Sequence, residues 1–531
     1  MRPGARLPLR VFRHPTSFFA LVCFGLAALA LLRALSQATW SGVPWFEHVD
    51  HWQSLLHAKD WAALNQSGFP RMVFARIPGW LPDLLLARTS FLVVGGYGLK
   101  SMALVVGLQF FSYLCLASFC LSRFASLSFA RSWSTISLIL AAALYFVPYL
   151  GLAFVPMHHG GNVIVVLILL SALLLWLKEG SWWWAVALIV IAFVGVASNR
   201  FFVFSGLIPL VVVLLLRFRI PSGLLALLCL EAGRRGWLFV PALRQGRDVL
   251  PDLDLSLLPG AFQLRLFSPI LLVVVAALLV SWGRLIWGAR EASGIGFPPL
   301  RSPGLRSLLV FCSVSLIASL AAEVLVTGLG SGYLNLRYLF SPLFLVQVVL
   351  GACCLAPLWH FVDVRHARWR RSFLSLSGGC LLIVSLGLFL QSAPLGSSVV
   401  DSRSGSVVAL LEQESLPSHY GLATYPYWQA GALEGFSGGR FDVVEASSDG
   451  TPLFWHRWKG SLFQGRDLKP FSFVLVSPEF QDRVVGHYGE PGLKVFCERE
   501  GFECLWVYPD NQQMISDIQL FIDTYGDKVK G

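Results

Sequence analysis

The chain has 531 residues, of which 56% are hydrophobic and only 13% charged, and its mean hydropathy is +0.66. Soluble domains carry about 25% charged residues, so this chain cannot hide its apolar surface in water and belongs in a membrane. The net charge of +11 reflects arginines in short cytoplasmic loops, and no nucleic acid partner is expected from it.

The first residues, MRPGARLPLRVFRH, are basic, which places the N-terminus inside. Thr16–Leu35 is long enough to cross a bilayer at about 1.5 Å per residue. No A-x-A-like cleavage site clearly follows it, so it reads as a retained span. Residues 36–96 then form a large outer loop lying on the membrane surface. It holds Glu47, His48, Asp50 and His51 close together, then Arg71, Arg76 and Asp83 among prolines and tryptophans. Within it, Leu81–Val94 is apolar but opens on Leu-Pro-Asp and is interrupted by Arg88, the pattern of an interfacial helix.

Further spans are expected at 97–121, 134–153, 161–177, 182–198, 201–216, 222–240, 268–288, 305–326, 339–362 and 373–391. Arg123, Arg131, Lys178, Arg217, Arg219, Arg290 and Arg301 then fall inside. Glu231, Arg234 and Arg235 interrupt segment 222–240. Were it not to cross, Arg365, Arg368, Arg370 and Arg371 would face outward, against the positive-inside rule. The expectation is a polytopic α-helical domain over 1–391 with about eleven spans, N-terminus cytoplasmic and C-terminus extracytoplasmic. Eight of the ten cysteines lie in apolar segments and read as small buried hydrophobes, with no zinc-like spacing.

After Gln391 the composition changes, and 392–531 reads as an extracytoplasmic soluble α/β domain. Strands are expected at Gly421–Tyr425, Phe441–Ala446, Phe473–Ser477, Leu493–Cys497 and Phe502–Tyr508. Helices are expected at Tyr427–Gly435, Pro478–Tyr488 and Gln512–Tyr525.

The outward polar groups fall in four loops: Glu47 and Asp50; His158-His159-Gly-Gly-Asn162; Ser198-Asn199-Arg200; and Asn335-Leu-Arg337-Tyr338. In this topology all reach one membrane face. A single charged residue at a helix end ordinarily just anchors or snorkels. A carboxylate, imidazoles and two guanidiniums together make a base-plus-phosphate site. Glu47, Asp50 and the histidines are also a candidate donor set for a divalent metal ion, although loop spacing fixes no geometry.

Many spans, a long first outer loop with an acid soon after span one, amphipathic segments in that loop and a C-terminal outer domain resemble the GT-C integral membrane glycosyltransferases. Among them the protein O-mannosyltransferase and aminoarabinose-transferase type is the most similar. The resemblance implies transfer of a sugar from a polyprenyl-phosphate donor to a glycan, lipid or protein acceptor at the outer face. It implies Asp50 as catalytic base, with Glu47 beside it, and Arg337 as the phosphate-binding arginine. Tyr338, Arg200, His158 and His159 complete the expected substrate-binding set. The sequence departs from the family's adjacent Asp-Glu pair, and its second outer loop offers His158-His159 in place of an acid. Tyr425, Tyr427, Trp428, Trp455 and Trp458 of the outer domain suit sugar stacking or ordinary packing. Two other classes stay open: a lipid-linked sugar transporter or flippase, for which Glu323 in a span is the candidate, and a non-catalytic envelope-assembly scaffold. The expected location is a bacterial plasma membrane.

Cys497 and Cys504 flank Glu-Arg-Glu-Gly and are expected to form a disulfide across a hairpin outside the cytoplasm. Mass analysis of non-reduced protein should find the linked peptide; two free thiols would refute it. So short a loop contributes roughly 2 kcal/mol, and the domain should survive Cys→Ser at both positions.

Overall fold

The computed structural model describes residues 15–37, 80–96, 98–155, 160–217, 219–239, 275–283, 303–326, 339–356, 402–414, 416, 419–424, 428–452, 471–495, 504–509 and 511–520, with scattered positions between 39 and 59 and between 359 and 381. In chain order these form α1 (Pro15–Gln37), a two-strand hairpin β1 (Thr39–Trp40) and β2 (Val43–Pro44), α2 (Leu85–Val94), α3 (Leu99–Ala125), α4 (Phe129–Phe146) and α5 (Gly160–Glu179). Then come α6 (Trp182–Ser198), α7 (Ile208–Leu215), α8 (Ile220–Phe239), a helical stretch over 275–283, α9 (Pro303–Val326) and α10 (Phe340–Leu350). The C-terminal part comprises α11 (Arg403–Gln413), β3 (Tyr420–Ala423), α12 (Trp428–Phe436), β4 (Asp442–Glu445), β5 (Phe471–Val476), α13 (Gln481–Tyr488), β6 (Leu493–Val495), β7 (Cys504–Val507) and a last helix, α14, over 512–520.

The chain divides into two compact units. One gathers residues 1–37, 109–154 and 159–393; the other gathers 38–108, 155–158 and 394–531.

The first unit is a bundle of apolar helices. Among the described residues, five helices are long and apolar enough to cross a membrane: Thr16–Gln37, Leu99–Ala125, Phe129–Phe146, Gly160–Glu179 and Gly304–Ala322. Trp182–Ser198, Val203–Leu215 and Phe340–Cys353 are apolar but shorter. This is a membrane protein. Hydrophobicity does not discriminate one helix from another inside lipid, so close packing must do so. On α1 the small residues Cys23, Ala27, Ala30 and Ala34 recur every three or four positions and are at most 1% exposed. Helix α4 packs along α1, and Ser134, Ser137 and Ala141 are among its own small buried residues. A Cβ on Gly236 of α8 would collide with the carbonyl of Phe193 on α6, so the crossing of these two helices requires glycine.

The expected span 134–153 is displaced. Helix α4 starts at Phe129 and stops at Phe146, and Pro148–Phe154 forms a tighter 3-10 turn. Proline disfavours helical backbone in the residue before it, which ends the helix at Val147. Arg131, expected in a loop, lies in the first turn of α4, its guanidinium 5.6 Å from the centre of the Trp359 ring. Over the expected span 222–240 the described residues form one continuous helix, Ile220–Phe239, despite its three charges: Glu231 accepts hydrogen bonds from both Arg234 and Arg235. The expected span 373–391 lies almost wholly outside the described residues, as do the ends of 268–288.

The second unit centres on a five-stranded sheet in the order β4-β3-β5-β7-β6. Strand β3 runs parallel to β4 and β5, while β7 is antiparallel to both β5 and β6. Strands β4, β5 and β7 are buried on both faces, as expected of a sheet covered on each side by helices. One face packs Val443, Phe473 and Leu475 against Val407 and Leu411 of α11 and Leu433 of α12. The other packs Val474 and Trp506 against Val484 of α13 and Met514 and Ile518 of α14. Ser402 caps α11, its Oγ accepting the Gly405 N–H at 3.1 Å.

Part of the first polar loop belongs to this core. Trp52, Leu55, Leu56 and Ala58 are at most 1% exposed. The Trp52 ring lies 5.7 Å from that of Phe436, and a Cβ on Gly435 would overlap it. Beside this contact, Lys59 Nζ donates to Oε1 of the fully buried Glu434 at 2.5 Å. Arg88 of α2 donates to the Ala58 carbonyl at 3.4 Å.

Removing one partner of a buried ion pair costs more than removing both, because the remaining charge is stranded. Lys59→Met should therefore lower the thermal stability of the purified protein by about 3 kcal/mol. Adding Glu434→Met should restore much of that loss. A double variant less stable than the single would show that Lys59 is not the partner that matters.

Candidate functional site

Helix α5 opens on Gly160-Gly161-Asn162, and Asn162 is only 6% exposed. An amide there finds no water, so it must bond to protein. Its Nδ2 donates to Ser205 Oγ at 2.7 Å and to Ser341 Oγ at 2.9 Å. Ser205 sits in a single wide turn, Val203–Leu207, that leads into α7, and donates back to the Phe201 carbonyl at 3.1 Å. The Ser205 carbonyl accepts from Ser315 Oγ of α9 at 2.9 Å. One knot thus joins the start of α5, the entry to α7, the middle of α9 and the start of α10. Asn162 Oδ1 has no hydrogen-bond partner among the described residues.

In the same unit lies a second polar pair and an aromatic layer. Tyr113 donates to Gln347 Oε1 at 2.7 Å, and both residues are buried. The rings of Tyr113 and Phe154 each pack edge-on against Phe344, at 4.9 and 5.5 Å. This layer fixes α3 and α10 against each other in the same bundle that carries the knot.

The knot connects stretches that the sequence marks. Asn162 follows His158-His159 by three positions, Ser205 follows Arg200 by five, and Ser341 follows Arg337 by four. Arg200 itself is half-buried, with its guanidinium 5.0 Å from the centre of the Trp237 ring. The turn before it is set by Asn199, whose Oδ1 accepts the Phe201 N–H at 2.9 Å. Asp50, Glu47, His158, His159, Arg337 and Tyr338 lie outside the described residues. So do Cys497 and the side chains of Tyr425, Tyr427, Trp428, Trp455, Trp458 and Glu323. Cys504 is buried on β7, where its sulfur lies 3.4 Å from Gln481 Nε2. Among the described residues no group of three or more His, Cys, Asp or Glu side chains is gathered to hold a metal ion.

Sequence reasoning alone did not single out Ser205, Ser341, Lys59 or Glu434. The serines had one visible signal: each interrupts an apolar run just after a polar loop, as Phe204-Ser205-Gly206 and Phe340-Ser341-Pro342.

No protein-family model matches the chain, and no curated protein does. Among solved structures, a crystal structure of the Archaeoglobus fulgidus oligosaccharyltransferase, tethered by a disulfide to an acceptor peptide containing the NVT sequon, matches over 94% of this chain and 77% of that one. The identity is 12% and the TM-score 0.39, which decides nothing about the chemistry of this chain.

Asn162→Ala removes two buried hydrogen bonds and should cost about 2 kcal/mol, at roughly 1 kcal/mol each. Ser315→Ala removes one and should cost about half as much. Unfolding of the full chain in detergent, followed by near-ultraviolet signal, checks the ratio; equal effects would show that Asn162 is not the centre of the knot.

Proposed function

We propose that the protein is an inverting glycosyltransferase of the membrane, taking a sugar from a polyprenyl-phosphate donor and giving it to a glycan, lipid or protein acceptor at the outer face. Asn162 carries the proposal. By bonding Ser205 and Ser341 it holds together the helix starts that directly follow His158-His159, Arg200 and Arg337-Tyr338. The helix starts that meet at this buried point each follow, in sequence, a stretch bearing imidazole or guanidinium groups. A site that must receive an anionic leaving group needs such preorganised donors.

The reaction follows from the groups. A carboxylate, Asp50 with Glu47 near it in sequence, accepts the acceptor's hydroxyl proton as that oxygen attacks the anomeric carbon. The new glycosidic bond forms as the bond to the lipid phosphate breaks, and the phosphate leaves with the electron pair. Arg337, with Arg200 as the second cation, binds its charge; a planar guanidinium meets two phosphate oxygens at once. Tyr338, His158 and His159 orient the substrates. A divalent metal ion held by the acids and histidines of these loops would add further charge for the leaving phosphate. The lipid tail of the donor accounts for a catalyst built inside a bilayer. Packing of Trp52 and Lys59 against Phe436 and Glu434 supports an outer domain that steadies the Asp50 loop, since Trp52 is only two positions from Asp50. We take the host to be a bacterial plasma membrane crossed by about eleven spans, with the N-terminus inside and the C-terminus outside.

Asp50→Asn should lower transfer of label from a polyprenyl-phosphate sugar by on the order of 10²–10⁴, with expression and insertion unchanged. Arg337→Lys should be milder than Arg337→Ala and should raise the donor requirement rather than lower turnover. Wild-type transfer by Asp50→Asn would move the base to Glu47. If neither acid mattered while Glu323→Gln stopped lipid-sugar movement, transport would replace transfer. A reporter fused after Gly531 should be active only outside the cytoplasm.

A further inference from the structure

Helix α8 has two faces. Ser222, Leu225, Ala226, Cys229 and Ala232 are buried at spacings of three and four, where the helix packs on α6 and α7. The opposite face begins with exposed leucines, Leu224, Leu227, Leu228 and Leu230, and then turns charged. Glu231, Arg234 and Arg235 come next, with side chains 42%, 60% and 71% exposed. Arg234 closes a two-pronged bond on Glu231, Nε to Oε2 at 2.7 Å and Nη2 to Oε1 at 2.8 Å. Arg235 adds only Nε to Oε1 at 2.9 Å.

One carboxylate therefore serves two guanidiniums. Among the described residues Arg235 makes no other hydrogen bond, so most of its N–H donors are open. About one helical turn away, the cation of Arg200 lies over Trp237 at the end of the same helix. An excess of positive charge flanked by exposed leucines on an apolar bundle demands a counter-anion that is itself soluble in lipid. The charged face also points away from the Asn162 knot, because the other face of α8 is the one packed on α6 and α7.

We propose that Arg234 and Arg235, with Leu227, Leu230 and Leu238 beside them, bind the phosphate head and upper acyl chains of an anionic phospholipid of the surrounding bilayer. The fork of Arg235 meets two phosphate oxygens, and Arg234 stays engaged with Glu231. Glu231 competes with the lipid for both arginines. This site needs none of the transfer chemistry above.

The test is native mass spectrometry of the full chain released from nanodiscs, titrated with phosphatidylglycerol and, separately, phosphatidylcholine. Phosphatidylglycerol should be retained in preference. Arg235→Gln should weaken that retention roughly fivefold, the effect of one basic residue at an anionic lipid surface. Arg235→Lys should fall between it and the wild type, and Glu231→Gln should strengthen binding. Equal retention of the two lipids, or an Arg235→Gln protein indistinguishable from wild type, would overturn the proposal. So would displacement of phosphatidylglycerol by equimolar polyprenyl monophosphate, which would make this a donor station, or by inorganic phosphate, which would make it a site for soluble anions.

Discussion

Inside a close-packed bundle of apolar helices a buried amide has no water to fall back on, and that lack dictates the bonds of Asn162. Its side chain lies where the polypeptide must supply every partner, and those it finds are hydroxyls on two other helices. The arrangement of the bundle around it is then no longer free. Moving α10 or the entry to α7 by the width of one residue would leave polar atoms unbonded in apolar surroundings, at about 1–3 kcal/mol each. Hydrophobic contacts tolerate such sliding far better, since one leucine surface resembles another. The knot therefore fixes register, while packing of small residues such as Ala27 and Ala30 on α1 fixes distance.

A second buried polar contact plays the same part in the other unit. Glu434 is completely enclosed, and its carboxylate is held by a lysine from the first polar loop. Around it, Trp52 fills a space that exists only because residue 435 has no side chain. Among the described residues, an aromatic anchor and a charge pair thus tie the loop to the C-terminal domain, a short-range arrangement that salt in the surrounding water screens little. Charges on α8 behave differently. They face outward, and a single carboxylate is shared between two guanidiniums.

Much of the architecture was legible in the chain. Every strand of the sheet falls within a few residues of where alternation and β-branched or aromatic residues place it, because those patterns are local. Pro148 likewise shows where α4 must end, although apolar run length alone carries the expected span past it. Glu231, Arg234 and Arg235 look like a break in a helix when read one at a time. They are compatible with it once spacings of three and four let Glu231 bond both arginines. Pairing at a distance was not legible. Nothing near Asn162 names Ser341, and nothing near Lys59 names Glu434; these partners are chosen by how the chain returns on itself. Helix α11 also escaped notice, since its Ser-Gly-Ser opening carries little helical pattern and its stability comes from covering the sheet.

The distance between Lys59 and Glu434, 375 residues along the chain, sets a clock during synthesis. At about 5–20 residues per second, roughly 20–75 s pass between the appearance of the loop and that of the helix that receives it. Throughout that interval the bundle helices are being threaded into lipid while Trp52, Leu55 and Leu56 have no core to enter. The loop's apolar side chains must rest on the membrane interface or on a chaperone until the last quarter of the protein emerges. A nascent chain interrupted before Glu434 thus leaves Trp52 and its apolar neighbours uncovered, a mark by which quality-control proteases can tell unfinished copies from finished ones.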